Sequence, residues 1–249
     1  MMTRHEFHKL FKSPGPVVLP VIHVLNLTQT ADNIAKVIEG CAQGCFLINH
    51  DFEKEKFIPI LRSIRKMHPS LWMAANFLSV TGKDAFPILG KLASEGCLID
   101  AYWADDACID ENGENFQAKA IAQARIESHW DGLYFGGTAF KKQREVDPAR
   151  YGDAARNACG FMDVITTSGV ATGEEADLGK VQTFRKAIGD RPLAIASGIT
   201  PENAMSYNQV DCFLVATGIN KTGNFYDIDL EKLKTLTALC RDLGKGASS

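Results

Sequence analysis

Polar side chains follow apolar segments in the first half of this sequence, at the point where each segment ends. The candidates for chemistry are His23, Asn49, His50, Asp51 and Asp105, with Asn26, Asn76, Trp103 and Asp106 near them. Imidazole and carboxyl groups exchange protons under mild conditions, so a site that contains His50 and Asp51 could perform acid–base catalysis. Other roles stay open, because Asp51 is an equally good N-cap for the next helix and Asp105 and Asp106 fit a solvated loop.

The second half of the sequence is rich in glycine and hydroxyl residues at the corresponding positions. Those that we expect to bind a phosphate are Ser168, Gly169, Ser197, Gly198, Thr217, Gly218 and Lys221. Glycine permits sharp turns with exposed N–H groups, hydroxyls add donors, and a lysine adds a positive charge. The segment "TPEN" at 200–203 has the pattern of a helix start with Thr200 as N-cap, and Glu202 would repel an anion there. We therefore expect the anion nearer the amides of Gly198 and Gly218, unless these glycines only form turns.

Cysteine and histidine spacing predicts no metal centre. Seven cysteines lie at 41, 45, 97, 108, 159, 212 and 240 without a C-x-x-C pair or zinc-ligand spacing, and the apolar context of Cys45, Cys97 and Cys212 predicts buried thiols. The sequence predicts no cofactor. A divalent metal held by His23, Asp51 and an aspartate of the loop at 104–113 is the alternative that the residue types leave open.

Apolar segments of strand length alternate with longer segments of helical periodicity along the chain. The eight predicted strands are residues 17–24, 45–50, 71–77, 97–103, 131–136, 162–167, 192–197 and 212–217. The clearest predicted helices are residues 31–44, 53–67, 83–95, 114–128 and 227–243. Eight strand–helix units in 249 residues match the size and order of a single (β/α)8 TIM barrel.

In such a barrel the carboxyl ends of all strands face one side, where the loops carry the chemistry. The runner-up is a doubly wound open sheet, which would usually carry a nucleotide-binding loop after its first strand, whereas "NLTQT" contains no glycine. No linker divides residues 1–249, so we predict one domain. Residues 1–16 would form a helical extension whose Phe7, Leu10 and Phe11 close the bottom of the barrel.

Charge and hydropathy argue against several other classes of protein. The formal net charge is −3 and the basic residues are dispersed, so the chain lacks the positive surface that binding a nucleic acid requires. The apolar segment at 17–25 is far shorter than a bilayer span, and residues 1–16 lack the pattern of a secretory signal. We expect a cytoplasmic protein without a transmembrane segment and, from the general habit of barrels, a homo-oligomer.

Three glycine-containing loops resemble those of the BtpA family of TIM-barrel proteins. The segments are "TTSGVATG", "ASGITPENAMSY" and "DCFLVATGINKTG", with weaker matches at "VIHVLNL" and at "TAFKKQ", where the family has a lysine-containing strand extension. The chain differs at "NLTQT", where the family has a Pro-Gly-Ser-Pro loop, at "INHDF", where a Glu-Asn pair is usual, and at Ala216-Thr217, where Gly-Thr is usual. The resemblance implies a TIM barrel of the nucleosidase or phosphoribosyltransferase type, and one branch of the family is described as photosystem I assembly factors.

Two classes of function follow from these patterns. The first is an enzyme that acts on a phosphorylated sugar or nucleotide-like molecule, with the phosphate on the loops after strands seven and eight and the reacting end near His23, Asn49, His50, Asp51 and Asp105. Its reaction would be cleavage or transfer at an N-glycosidic bond, or isomerisation or epimerisation of a phosphosugar. The second is a non-catalytic assembly or regulatory barrel that senses a phosphorylated metabolite.

Overall fold

Eight parallel strands close into a barrel in the computed structural model, which describes residues 1–171 and 173–246. The strands are β1 (Val17–His23), β2 (Cys45–Ile48), β3 (Met73–Asn76), β4 (Ala101–Ala104), β5 (Leu133–Gly137), β6 (Val164–Thr167), β7 (Leu193–Ile195) and β8 (Cys212–Val215). Each strand pairs with its neighbours in sequence, and β1 pairs with β8 to complete the ring. The predicted single (β/α)8 TIM barrel is confirmed.

Eight α-helices accompany the strands within the described residues. They are α1 (Arg4–Phe11), α2 (Leu27–Glu39), α3 (Lys54–Met67), α4 (Gly82–Ser94), α5 (Phe116–Glu127), α6 (Tyr151–Ala158), α7 (Leu178–Ile188) and α8 (Leu230–Gly246). Helix α2 begins earlier than the sequence pattern predicts, because Asn26 caps it by accepting a hydrogen bond from the Gln29 N–H at 3.0 Å. In this part of the chain, no helix combines the length and the apolar character needed to cross a membrane.

The connection between β7 and β8 contains a short 3₁₀ helix, Ala204–Tyr207, where the sequence pattern predicts a helix that starts at Thr200. The Thr200 N–H donates to Asn203 Oδ1 at 2.8 Å, and Asn203 Nδ2 donates to the Gly198 carbonyl at 2.7 Å. Because the Asn203 side chain closes residues 198–203 into a turn, the helix starts later and stays short. Thr200 does make the predicted capping contact, since its hydroxyl accepts the Glu202 N–H at 3.2 Å, but the regular helix predicted to follow it is replaced by this turn and the 3₁₀ helix.

Alternate residues of each strand fill the barrel interior. On β1, Val17, Leu19 and Val21 belong to the inner cluster, whereas Val18 and Ile22 pack in the layer between strands and helices. Both clusters consist of buried side chains. The carboxyl ends of the strands, and the polar residues that follow them, are consequently held by a packed core.

Helix α1 packs against the amino-terminal end of the barrel. The ring of Phe7 lies edge-on to Phe135 at 6.3 Å between centroids, and Phe11 lies edge-on to Trp72 at 4.9 Å. These contacts support the proposal that residues 1–16 close the barrel bottom. The prediction that Leu10 shares this face is wrong, because Leu10 is 49% exposed. Residues 7 and 11 are related by i, i+4 spacing and face the strands together, and Leu10 lies beside that narrow contact.

A buried carboxylate anchors α1 to the barrel. Asp211 precedes β8 and accepts hydrogen bonds from Arg4 Nε at 2.7 Å, His8 Nε2 at 3.0 Å and Arg185 Nη1 at 2.8 Å. It also accepts the Leu193 N–H at 2.9 Å. Burial alone would raise the pKa of Asp211, but the hydrogen bonds from His8 and the Leu193 N–H outweigh it and hold the pKa below its ordinary value. The anchor is therefore ionised when the protein is folded at neutral pH.

Candidate active site

A cavity opens at the carboxyl-terminal ends of the strands. Its polar and titratable lining side chains are His23, His50, Asp105, Lys141, Lys142, Ser197 and Thr217. They follow β1, β2, β4, β5, β7 and β8, so the barrel brings together residues that are far apart in sequence. The space between these residues is about 590 Å³, which includes the part that is open to solvent.

Asp105 presents a buried carboxyl group to this cavity. It is 6% exposed. Its Oδ1 accepts a hydrogen bond from Asn76 Nδ2 at 3.2 Å, whereas its Oδ2 has no partner among the described residues. Burial raises the pKa of Asp105 and outweighs the lowering effect of Lys142. A carboxyl group that holds its proton more strongly than usual, with one oxygen unoccupied, can exchange a proton with a ligand.

Lys141 reaches across the mouth from the loop after β5. Its backbone N–H donates to Ser168 Oγ at 2.9 Å, and its side-chain amine donates to the Ala196 carbonyl after β7 at 2.9 Å. Burial lowers the pKa of Lys141 to about 8, with Asp105 raising it and Lys142 lowering it further. The amine is therefore uncharged in a larger fraction of molecules than that of an ordinary lysine.

His23 is buried beneath an aromatic ring from the loop after β8. Phe225 stacks on the His23 imidazole at 3.8 Å between centroids, and the His23 Nδ1 lies 3.2 Å from the Phe225 carbonyl. Burial and the nearby His50 lower the pKa of His23 to about 4, so the ring is neutral at neutral pH. Because a carbonyl oxygen only accepts, Nδ1 of the neutral ring donates to it, and Nε2 is an acceptor that is free for a ligand hydroxyl.

The residues predicted to bind phosphate lie in three loops, and those that line the cavity come from two of them, the loops after β7 and β8. Ser197, Gly198 and Thr217 line it. No hydrogen bond within the described residues uses the backbone N–H of Gly198, Thr217 or Gly218. These groups are available as donors for an anion.

The other predicted phosphate residues have structural contacts or lie elsewhere. The Ser168 hydroxyl accepts the Lys141 N–H and donates to the Gly169 carbonyl at 2.8 Å, and neither residue lines the cavity. The Ser197 hydroxyl hydrogen-bonds to carbonyl groups of the loop after β6. Lys221 is exposed and outside the cavity lining. The positive charges at the mouth come instead from Lys141 and Lys142.

Glycines allow these three loops to pack backbone against backbone. A Cβ at Gly218 would lie 1.9 Å from the Ile199 carbonyl oxygen, and one at Gly198, whose φ is +63°, would lie 2.4 Å from the backbone of Glu174. A Cβ at Gly169 would lie 2.6 Å from the Glu175 carbonyl oxygen. Any side chain at Gly218 would therefore separate the loops, so a substitution there tests packing before it tests phosphate binding.

The residues after β2 divide between the cavity and its outer rim. His50 lines the cavity, with its ring 5.6 Å from that of His23. Asn49 does not line it, since its amide donates to the Phe52 carbonyl at 2.7 Å and accepts the Leu78 N–H at 3.1 Å. Asp51 is exposed outside the lining and accepts a hydrogen bond from the Tyr226 hydroxyl at 2.8 Å. Asp51 does not cap α3 either, because that helix begins after Glu53.

Metal ligands are not grouped in the described part of the chain. Among its histidine, cysteine, aspartate and glutamate side chains, no group of three or more could hold a metal ion. Asp51, which the sequence makes a possible ligand beside His23, lies on the outer rim. Cys45, Cys97 and Cys212 are buried, as predicted.

Sequence reasoning did not single out two lining residues, Lys142 and Phe225. Lys142 had a weak signal, because it follows Lys141 in "AFKKQ" after a predicted strand. Phe225 is one of two adjacent aromatic residues in the polar segment "NKTGNFYD", where nothing in the spacing indicates that the loop folds back over β1. Asn33 holds that loop in place by donating to the Tyr226 carbonyl at 2.7 Å and accepting the Ile228 N–H at 3.0 Å.

Solved structures of other barrels resemble this chain. Tryptophan synthase subunit alpha from Legionella pneumophila str. Paris superposes with a TM-score of 0.63 at 13% identity, over 99% of this chain and 100% of that one. Phosphoribosyl anthranilate isomerase from Thermus thermophilus has a TM-score of 0.58 at 14% identity, over 94% and 100%. A protein described as native KDPGal has a TM-score of 0.61 at 8% identity, over 92% and 96%. At these identities the likeness shows the fold alone.

No family model matches the chain, and no curated protein matches it.

Proposed function

We propose that this chain is an enzyme that performs acid–base chemistry on a phosphorylated sugar or nucleotide-like small molecule. The observation that carries the proposal is the convergence of Asp105, Lys141 and His23 in one cavity at the carboxyl ends of the strands. Titratable groups with shifted pKa values in one concave site are typical of catalytic centres.

The phosphate of the ligand would lie on the loops after β7 and β8. The N–H groups of Gly198 and Thr217 support this placement, because both residues line the cavity and these groups have no partner among the described residues. Lys142 lines the same cavity and is exposed, so it would add a positive charge at the entrance.

The reaction that this geometry favours is a proton transfer beside a carbonyl group, as in a phosphosugar isomerase or epimerase. Asp105 is the one carboxyl group among the described lining residues, and its raised pKa favours the uncharged form. Cleavage or transfer at an N-glycosidic bond, which the BtpA resemblance implies, would need a carboxylate to stabilise a cationic sugar ring. An acid with an unoccupied oxygen suits proton transfer better.

The name of phosphoribosyl anthranilate isomerase indicates that a barrel of this kind can serve an isomerisation of a phosphorylated compound. At 14% identity this supports only the capacity of the fold, and the proposal depends on the site itself.

A thermal-shift panel tests the binding part of the proposal. The panel contains ketose and aldose phosphates, nucleotides, the same sugars without phosphate, and inorganic phosphate. A ligand at one hundred times its Kd should stabilise the fold by about 2.7 kcal/mol. We expect Lys142→Ala to weaken the affinity for phosphorylated ligands. The control Lys91→Ala, at an exposed position in the last turn of α4 and outside the cavity lining, should leave it unchanged. A panel without any phosphate-dependent shift would contradict the proposal.

Deuterium exchange tests the catalytic part. A phosphosugar that binds should acquire deuterium from D2O at the carbon beside its carbonyl group, followed by NMR. Binding without exchange or product would favour the second class, a barrel that senses a phosphorylated metabolite without transforming it.

A further inference from the structure

We infer that the side-chain amine of Lys141 is a nucleophile that forms an imine with the carbonyl group of the ligand, so that the site takes phosphorylated aldehydes or ketones. The inference rests on the proposed function and specifies a covalent step that acid–base catalysis alone does not require.

The position of Lys141 is set by contacts at both ends of the residue. Its backbone N–H is held by Ser168 Oγ, and its amine is held at 2.9 Å from the Ala196 carbonyl, where β7 ends. The side chain thus spans the mouth from the loop after β5 to the end of β7 and lines the cavity together with Asp105. Ser168 is a positioning residue in this arrangement.

The surroundings of the amine leave it free to react. It makes no ion pair with a carboxylate of the described residues. Its one hydrogen bond is to the Ala196 carbonyl, and it lies over the Phe140 ring at 5.5 Å from the centroid. Burial lowers the pKa of Lys141 to about 8, so part of the population carries the unprotonated amine near neutral pH. A lysine that is partly buried in a ligand cavity without a counter-ion is suited to attack a carbonyl carbon.

Lys180 shows what a structural buried lysine looks like in the same molecule. Burial lowers its pKa to about 8 as well. Its amine donates to the carbonyls of Ala139 at 2.6 Å and Ser168 at 2.9 Å, and it lies over the Tyr151 ring at 4.9 Å. Lys180 ties two loops together outside the mouth cavity, whereas Lys141 faces the cavity with a single acceptor.

The step balances with the groups at the site. The unprotonated Lys141 amine attacks the carbonyl carbon and forms a C–N bond while the π bond of the carbonyl group breaks. A proton then passes from the attacking nitrogen to the carbonyl oxygen, which becomes a hydroxyl group. The protonated Asp105 carboxyl then donates a proton to that hydroxyl, the C–O bond breaks, and water leaves. The remaining electron pair on nitrogen completes the C=N bond of a positively charged iminium ion, and Asp105 is left as a carboxylate. That carboxylate can remove a proton from the neighbouring carbon, which links imine formation to the proposed proton transfer.

Reductive trapping tests the inference. The full chain is incubated with glyceraldehyde 3-phosphate, with dihydroxyacetone phosphate or with unphosphorylated glyceraldehyde. Sodium cyanoborohydride then reduces any iminium ion to a stable amine, and peptide mapping by mass spectrometry locates the adduct. We expect a reduced adduct at Lys141 with the phosphorylated probes and much less with glyceraldehyde. Lys91→Ala, at an exposed position in the last turn of α4 and outside the cavity lining, should retain it.

Lys141→Arg and Lys141→Gln should both lose the adduct while thermal melting shows that they fold. Arginine can still donate to the Ala196 carbonyl, so its failure to form the adduct would not be a failure of packing. Adducts at other lysines only, or deuterium exchange that is undiminished in Lys141→Arg, would overturn the inference. A thermal shift with the phosphorylated probes without any adduct would overturn it too, while leaving the proposed function standing. The absence of any phosphate-dependent thermal shift would contradict the proposed function instead.

Discussion

At the scale of single residues, Asp105 and Asp51 show how surroundings decide the role of one side-chain type. Both follow a strand, and the sequence makes both candidates for catalysis. Asp105 is enclosed at the mouth with one oxygen unpaired, whereas Asp51 is exposed and bound to the Tyr226 hydroxyl on the rim. Burial raises the pKa of the enclosed carboxyl, which is the direction that favours a proton donor.

We predict that Asp105→Asn lowers kcat for the phosphorylated substrate by about 10²- to 10⁴-fold, because the proton donor is lost. Asp51→Asn is the matched control and should retain the activity of the wild type. Steady-state kinetics on a substrate identified by the deuterium exchange measures both. Equal losses of kcat in the two variants would show that Asp105 is not the acid–base residue.

The free energy of unfolding of Asp105→Asn distinguishes the loss of the proton donor from misfolding. The pKa of Asp105 is higher in the folded than in the unfolded chain. The stability that Asp105 contributes is therefore present below its pKa in the unfolded chain, and it is lost as the pH rises through its pKa in the folded chain. The asparagine side chain of Asp105→Asn cannot ionise, so this variant does not lose that stability as the pH rises. Urea unfolding at neutral pH should therefore show a variant that is at least as stable as the wild type.

At the scale of elements, α1 and the glycine loops hold opposite ends of the barrel. Two aromatic side chains and the Asp211 anchor attach α1 at the bottom. At the mouth, the loops after β6, β7 and β8 pack backbone against backbone, which glycine permits. A Cβ at Gly218, for example, would lie only 1.9 Å from the Ile199 carbonyl oxygen. The mouth is thus shaped by loop packing, and the bottom by a helix that the sequence already indicates.

We predict that Phe7→Ala destabilises the fold by about 3–5 kcal/mol, because it opens a cavity between α1 and the barrel floor. Leu10→Ala, on the same helix but 49% exposed, should change the stability by less than about 1 kcal/mol. Urea-induced unfolding followed by circular dichroism measures the difference. Similar effects in the two variants would mean that α1 does not seal the barrel in solution.

At the scale of the whole molecule, burying a neutral imidazole makes the stability of the fold depend on pH. His23 is 7% exposed, and its pKa is lowered from 6.5 to about 4 on folding. The unfolded chain therefore binds a proton at a higher pH than the folded one. Stability from this residue is complete above pH 6.5 and is lost as pH falls towards 4. Asp211, with its lowered pKa, contributes to acid unfolding only below this window.

We predict that the free energy of unfolding falls by about 3 kcal/mol between pH 7 and pH 4 because of His23. His23→Phe should remove most of this dependence, and His5→Gln, at an exposed position of α1, should not. Urea titrations across that pH range provide the test. A wild-type stability that stays flat over this interval would show that His23 is protonated in the folded protein.

The expected homo-oligomer stays a prediction, and sedimentation analysis can test it.

The order of strands and helices was determined by the sequence itself. Apolar segments with period two or with helical period appear in the correct order from β1 to α8, because secondary structure follows local periodicity and local capping. Errors arise where a local side-chain turn or a tertiary contact competes with the periodicity. Asn203 shortens the helix after β7, and Leu10 lies beside the contact of α1. Strand-end glycines and polar residues also located the mouth correctly, since a parallel barrel has one carboxyl-terminal face.

Only the tertiary structure decided which of those residues meet. Asp105 and His23 converge with Lys141, while Asp51 and Lys221 lie outside the cavity, although the sequence makes Asp51 and Lys221 candidates in the same way as Asp105 and His23. The reason is physical. Burial and pKa depend on neighbours that come from other strands, as when Ala196 receives the amine of Lys141 from two strands away. No local pattern in the chain encodes such a distance. The sequence could therefore indicate which face of the barrel carries the site, but not which residues form it.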